Sequence, residues 1–154
     1  MISVWRIVKA KYASTAFTGE SAALYPGRWN NPGTRVVYAA ASLSLAALEN
    51  FIHLQSEGRG IKFVSFKVDI PAGIKTGEVE APHLPKDWRA CSPSVGTKLI
   101  GTNWAKKNET LLLRVPSVVI PSESDYLINP LHRDFASLKI SAPEPFSFDQ
   151  RMWK

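Results

Sequence analysis

RVVYAAASLSLAALENFIHLQ, residues 35–55, is the stretch on which the reading of this chain turns. RVVYAA is a short apolar run that reads as a strand. Ser42 follows as an N-cap, and LSLAALENFIHLQ then reads as a helix over 43–55, closed by Gly58. Leu43, Ala46, Ala47, Phe51 and Leu54 fall at helical spacing and form one apolar face, which Leu48 and Ile52 broaden. Glu49 stands beside that face near the middle of the helix, among Ala46, Ala47, Leu48 and Phe51. A carboxylate in such company needs a partner.

Upstream, ISVWRIV at 2–8 reads as a strand with Arg6 on the opposite face from Trp5. From Tyr12 to Thr34 the chain is rich in Gly, Pro, Ser, Asn and Thr, which predicts an ordered loop with short turns. Its length marks it as a lining for a site. Arg28 lies there on GRWNN, either as a surface arginine paired to a carboxylate or as a guanidinium that forks onto phosphate, and Trp29 reads as a packing anchor. Tyr38 sits within VVYAA, either as a half-buried core ring or as a ring that stacks on a planar base.

Downstream, IKFVSFKVDIP at 61–71 alternates as a strand ended by Pro71. A loop-rich middle with prolines at 82, 85 and 93 precedes a helix from about Ser94 to Lys106. TLLLRVPSVVIP reads as a strand broken by Pro116, which is confined to an edge or bulge, and SDYLINP as a strand turned by Asn129-Pro130. KISAPEPFSFD looks extended. Strands outnumber helices without regular interleaving, so the expected class is α+β with a mixed or antiparallel sheet. The whole of 1–154 is expected to be one domain, since 154 residues with 45% apolar content suit one core.

Composition narrows the function classes. No run approaches the length of a membrane span, and MISVWRIVKAKY lacks the apolar region of a signal peptide. A lone Cys91 cannot form an internal disulfide, which suits the cytoplasm. His53, His83 and His132 are far apart and Cys91 has no CxxC mate, so no metal is expected. There is no GxSxG elbow, Walker loop or GxGxxG fingerprint. The net charge of +6 raises nucleic acid as a partner, but the basic residues are scattered, densest at Lys9/Lys11 and Lys106/Lys107. A phosphorylated metabolite or an acidic protein partner suits the charge equally well.

Taken together, GRWNNPGTRVVYAAASLSLAALENFIH, VWRI near the start, FTGESA at 17–22 and VPSVVIPSESDYLINPLHRDF late in the chain resemble the RES domain, the toxin half of RES–Xre toxin–antitoxin modules. Residues 72–108 carry no such signature. The resemblance implies a compact α+β fold similar to ADP-ribosyltransferases, with NAD as substrate and cleavage of its nicotinamide–ribose bond. Hydrolysis, phosphorolysis and transfer of ADP-ribose to a protein all occur in the family. Carried onto this chain, the motif arginine is Arg28, the aromatic Tyr38, the glutamate Glu49 and the serine Ser117, with Ser122 and Ser124 close by; Arg6 and Asn129 are further pocket residues. The implied partner is an Xre-like antitoxin that covers the active site and carries the DNA contacts, with room for a homodimer within that complex. Two readings compete with this one: an RNA-directed toxin using His132, Arg133 or Lys106/Lys107, and a module that binds a nucleotide without turning it over.

Overall fold

The structure is a computed structural model that describes residues 1–54 and 56–153. In chain order its elements are β1 (Ile2–Lys9), α1 (Glu20–Leu24), β2 (Val37–Ala40), α2 (Leu43–Phe51), β3 (Phe63–Ile70), β4 (Thr76–Glu78), α3 (Val95–Lys107), β5 (Leu112–Pro116), β6 (Ser124–Ile128), β7 (Lys139–Ile140) and β8 (Glu144–Phe146). The strands form one sheet in the order β4-β5-β6-β2-β1-β3-β7, with β8 paired to the other end of β3. Only β4 runs parallel to its neighbour β5; every other pair is antiparallel, so the fold is α+β with a mixed sheet, as expected. No described helix is long and apolar enough to cross a membrane.

The centre of the sheet explains its stability. β1 pairs β3 over its whole length, from Ile2 opposite Ile70 to Lys9 opposite Phe63. Val4, Val37, Val68, Leu112 and Ile128 are fully buried on neighbouring strands and make the main core. A second cluster lies beneath α2, where Leu45 and Ala46 meet Ile7, Ala40, Phe63 and Phe148. A third gathers Trp29, Leu113, Val115 and Leu127, so the tryptophan of the 27–34 loop is a core residue.

The local signals of α2 and α3 operate as their chemistry requires. Ser42 Oγ accepts from the Leu45 N–H at 3.1 Å, and Ser94 Oγ accepts from the Thr97 N–H at 3.2 Å, each satisfying a donor at a helix start. Asn108 ends α3 in the left-handed region at φ 55°.

Several expectations are corrected. α2 stops at Phe51 rather than running to Gln55, which lies outside the described residues; His53 and Leu54 N–H groups close onto carbonyls three residues back, so the end tightens without using Gly58. Leu48 and Ile52 do not broaden the core face but are exposed, because the helix turns that side away from the sheet. The 12–34 segment contains the short helix α1, and the loop-rich middle contributes β4. Pro116 is at the last position of an interior strand, tolerated because β4 pairs only with 112–114 and leaves that side free.

Gly101 fixes where α3 meets the 27–34 loop. A Cβ on it would fall on the Trp29 carbonyl, and next to it Thr102 Oγ1 accepts from the Asn31 N–H at 2.9 Å. Gly101→Ala is expected to lower the unfolding free energy by about 1–3 kcal/mol through overpacking, seen as a lower urea midpoint. Helix propensity alone favours alanine by about 1 kcal/mol, so an unchanged or raised midpoint would show that the close approach is absent.

Candidate active site

The small side chains of Ala39, Ala40 and Ala46 leave space between β2, α2 and β1, and a cavity of about 610 Å3 opens there. This lies within the range of about 300–1,000 Å3 typical of small-molecule sites. Its rim is built from the Gly27–Trp29 loop and from Arg89, Cys91, Val118 and Val119.

The rim loop is held by one buried amide. Asn30 is fully buried, and its Oδ1 accepts from the Gly27 N–H at 2.9 Å and from the Tyr38 hydroxyl at 2.6 Å. Its Nδ2 donates to the carbonyls of Ala22, Asn31 and Thr34 at 2.8, 3.3 and 3.2 Å. The Tyr38 hydroxyl also accepts from the Trp29 N–H at 3.1 Å. Gly27 is required here, since a Cβ would approach the Tyr38 ring and hydroxyl to 2.8 Å. Burial pushes the Tyr38 phenol above its ordinary range, so it remains a neutral donor.

Two guanidiniums line the cavity, Arg28 from the rim loop and Arg6 from β1. Arg28 Nη1 donates to the carbonyls of Trp88 at 3.0 Å and Ala90 at 2.7 Å, which anchors the side chain across the rim. Partial burial pulls it below its ordinary value against the pull of Cys91, Glu49 and Tyr38, and it stays charged. Arg6 Nε and Nη1 donate to the carbonyls of Ala16 and Tyr38 at 2.8 and 2.9 Å. Burial lowers Arg6 to about 10, still well above neutral.

Glu49 projects from α2 into the same cavity, and Ser117 orients it. Ser117 Oγ accepts from the N–H groups of Val119 and Ile120, both at 3.1 Å, and donates to Glu49 Oε1 at 2.7 Å. With both lone pairs occupied, its single proton has Glu49 as its acceptor. Ser122 is exposed and Ser124 Oγ accepts from Arg114, so Ser117 is the serine that meets the glutamate. On the sheet side Asp125, opposite Ala40 in the β2–β6 register, has its carboxyl within hydrogen-bonding reach of Glu49. Burial first, then the closeness and charge of Glu49, push the Asp125 carboxyl far above the usual carboxylate range.

Arg6, Arg28, Tyr38 and Glu49 therefore share one cavity, and Ser117 reaches it through Glu49. Asn129 does not line it. The Asn129 amide donates to Asn108 Oδ1 at 2.8 Å and Ala105 O at 3.3 Å and accepts from the Leu131 N–H at 3.0 Å, tying β6 to the end of α3. The sequence reading missed Asn30, Asp125 and the 88–91 segment. Asn30 had a signal, its place between Trp29 and a Pro/Gly turn; the other two had none. Among the described residues no three His, Cys, Asp or Glu side chains converge as metal ligands.

The family model for the RES domain matches residues 3–149. The chain belongs to the RES domain family. It is 35% identical over 151 residues to "Toxin Res" of Yersinia enterocolitica, covering 97% of this chain and 98% of that protein. It is 36% identical over 154 residues to the "Prs ADP-ribosylating toxin" of Sphingobium sp. strain YBL2, covering 97% and 96% of the two chains. A chain of the M. tuberculosis MbcT–MbcA toxin–antitoxin complex superposes with a TM-score of 0.75 at 15% identity, over 95% of this chain and 84% of that one. This RES domain thus shares its fold with a chain from that complex.

Tyr38→Phe is expected to destabilise the protein by about 1–3 kcal/mol, because it leaves the Trp29 N–H without an acceptor. Thermal denaturation checks this, and a loss below a few tenths of a kcal/mol would mean water takes the hydroxyl's place.

Proposed function

We propose that this RES domain, acting as one unit over 1–154, is the toxin of a bacterial toxin–antitoxin pair and cleaves the nicotinamide–ribose bond of NAD in the cytoplasm. The observation that carries the reading is Glu49, a carboxylate fixed by Ser117 in a cavity that also presents Arg28 and Arg6. The names of the Yersinia and Sphingobium relatives, a Res toxin and an ADP-ribosylating toxin, support it.

The chemistry follows from the substrate. The nicotinamide nitrogen is cationic, so heterolysis of the C1′–N bond returns the electron pair to a neutral leaving group and needs little acid catalysis. What it needs is an environment that favours the positive charge developing on the ribose. Glu49 accepts hydrogen bonds from the ribose hydroxyls and opposes that charge, as carboxylate stabilisers do in glycosidases. Arg28 and Arg6 hold the pyrophosphate with the N–H donors not given to backbone carbonyls. The Tyr38 ring lines the space for nicotinamide or ribose, its hydroxyl remaining committed to the loop. Water or phosphate then adds to C1′, and NAD is depleted. An Xre-like antitoxin closes the cavity mouth and carries any DNA contact.

A second reading, transfer of ADP-ribose to a protein, has the Sphingobium relative's name in its favour. The RNA-directed reading has less support, since His132 is buried with Nδ1 accepting from the Asp134 N–H at 3.0 Å and neither it nor Lys106/Lys107 lines the cavity.

Glu49→Gln is expected to cut nicotinamide release from NAD by about 100-fold or more, with NAD affinity changed far less. Chromatography of NAD reactions with and without phosphate checks this and separates hydrolysis from phosphorolysis. Wild-type turnover in the variant would overturn the assignment of Glu49. No release in either buffer would leave the transferase reading, tested next with candidate protein acceptors.

A further inference from the structure

Asp125 has no task in the scheme above, yet it lines the same cavity with 9% of its surface exposed. Its Oδ1 is sealed from solvent and receives no hydrogen bond. The side chain within hydrogen-bonding reach is Glu49, another carboxylate. Two ionised carboxylates facing each other offer acceptors and no donor, and they repel at short range. One proton resolves both problems, turning the facing groups into donor and acceptor.

We propose that Asp125 is a positioning residue: as a neutral carboxylic acid it donates a hydrogen bond to Glu49 and holds that carboxylate, singly charged, against the cavity. This rests on the reading of Glu49 as the group that faces the ribose. Glu49 is then held by two donors, the Ser117 hydroxyl and the Asp125 carboxyl. The raised value of Asp125 agrees with the geometry, because the folded chain keeps a proton that the unfolded chain releases.

The consequence is loss of activity at alkaline pH. As pH rises through the folded-state value of Asp125, the proton leaves, the two anions repel and Glu49 loses its second donor. Other groups face the cavity as well. Arg28 on the rim loop and Arg89 on the 88–91 segment line it, and the Tyr38 phenol on β2 is pushed above its ordinary range. Arg6 on β1, lowered by burial to about 10, adds a loss of its own at the top of the range that wild type and D125N share. His53 after α2 and Cys91 on the rim also line the cavity, so the same profile is run in H53Q and C91S, where the limb is expected to persist.

The test follows kcat for nicotinamide release from about pH 6 to pH 10 in wild type, D125A and D125N. Asparagine keeps a neutral donor at this position but cannot ionise. D125A is expected to lose about 10–100-fold in kcat, the range seen when a group orienting a functional ligand is removed. D125N is expected to recover most of that loss and to keep only the shallower alkaline limb that Arg6 contributes. A limb in D125N as steep as that of wild type, or a D125A enzyme with wild-type kcat and profile, would overturn the proposal.

A second measurement needs no NAD. Wild-type stability falls with pH from the ordinary aspartate value of 3.8 up to the raised folded value, because over that window the folded state binds more protons than the unfolded state. Asparagine has no such penalty, so the Tm of D125N is expected to gain on that of wild type as pH rises. A Tm difference independent of pH would overturn the pairing. If the difference grows while wild type releases no nicotinamide, the proton pairing stands and the NAD reading falls.

Discussion

The Asn30 side chain is the constraint on which the cavity depends. A fully buried amide is tolerated only when its oxygen and nitrogen are both paired, and here the oxygen takes two donors while the nitrogen faces three carbonyls. Those bonds give the 27–34 loop one conformation. Trp29 then points into the core beside Leu113 and Leu127, and Arg28 points across the cavity to the carbonyls of residues 88 and 90. Adjacent residues thereby serve opposite purposes. The loop is an extension of the core rather than an ornament on it, which is why α3 comes so close at Gly101.

Charge is distributed over the cavity with the same economy. Three arginines, at 6, 28 and 89, line it against two carboxyls, and a proton retained on Asp125 leaves one negative charge. A dinucleotide carries its phosphates at one place and its labile cation at another, so a cavity that separates guanidiniums from a single oriented carboxylate matches it. Backbone carbonyls fix both Arg6 and Arg28 from behind. Neither arginine spends its charge on an internal carboxylate among the described residues, and that leaves both available to an anion.

Much of this frame was legible in the residues. The Ser42 cap, the β2–α2 unit, β1, β3 and α3 each announce themselves through local chemistry, and local chemistry decides them. β4, β7 and β8 have three, two and three residues, too few for any periodicity, and exist because a longer neighbour offers an unpaired edge. For the site, the RES signature pointed to Arg28, Tyr38 and Glu49, which line one cavity. It could not separate roles among them: a hydroxyl committed to Asn30 and a ring at the cavity wall are the same letter in the sequence. Asn129 entered as a further pocket residue from the NP stretch, yet its amide spans β6 and α3, away from the cavity. Asp125 was invisible because its significance lies in strand register, which sets it across from Ala40 and within reach of Glu49.

The motif serine shows how far geometry alters the chemical reading. A serine beside a glutamate in a cavity suggests a nucleophile with its base. Here the hydroxyl oxygen already accepts from two backbone N–H groups, which weakens it as a nucleophile, and the carboxylate it meets also has Asp125 within hydrogen-bonding reach. Ser117 is moreover fully buried and touches the cavity only through Glu49. The arrangement suits a fixed anion stabilised by neutral donors, which shapes a cationic transition state without forming a covalent bond to it. On the proposed reading Ser117 is therefore not the group that adds to C1′, and access to the cavity mouth selects among water, phosphate and protein.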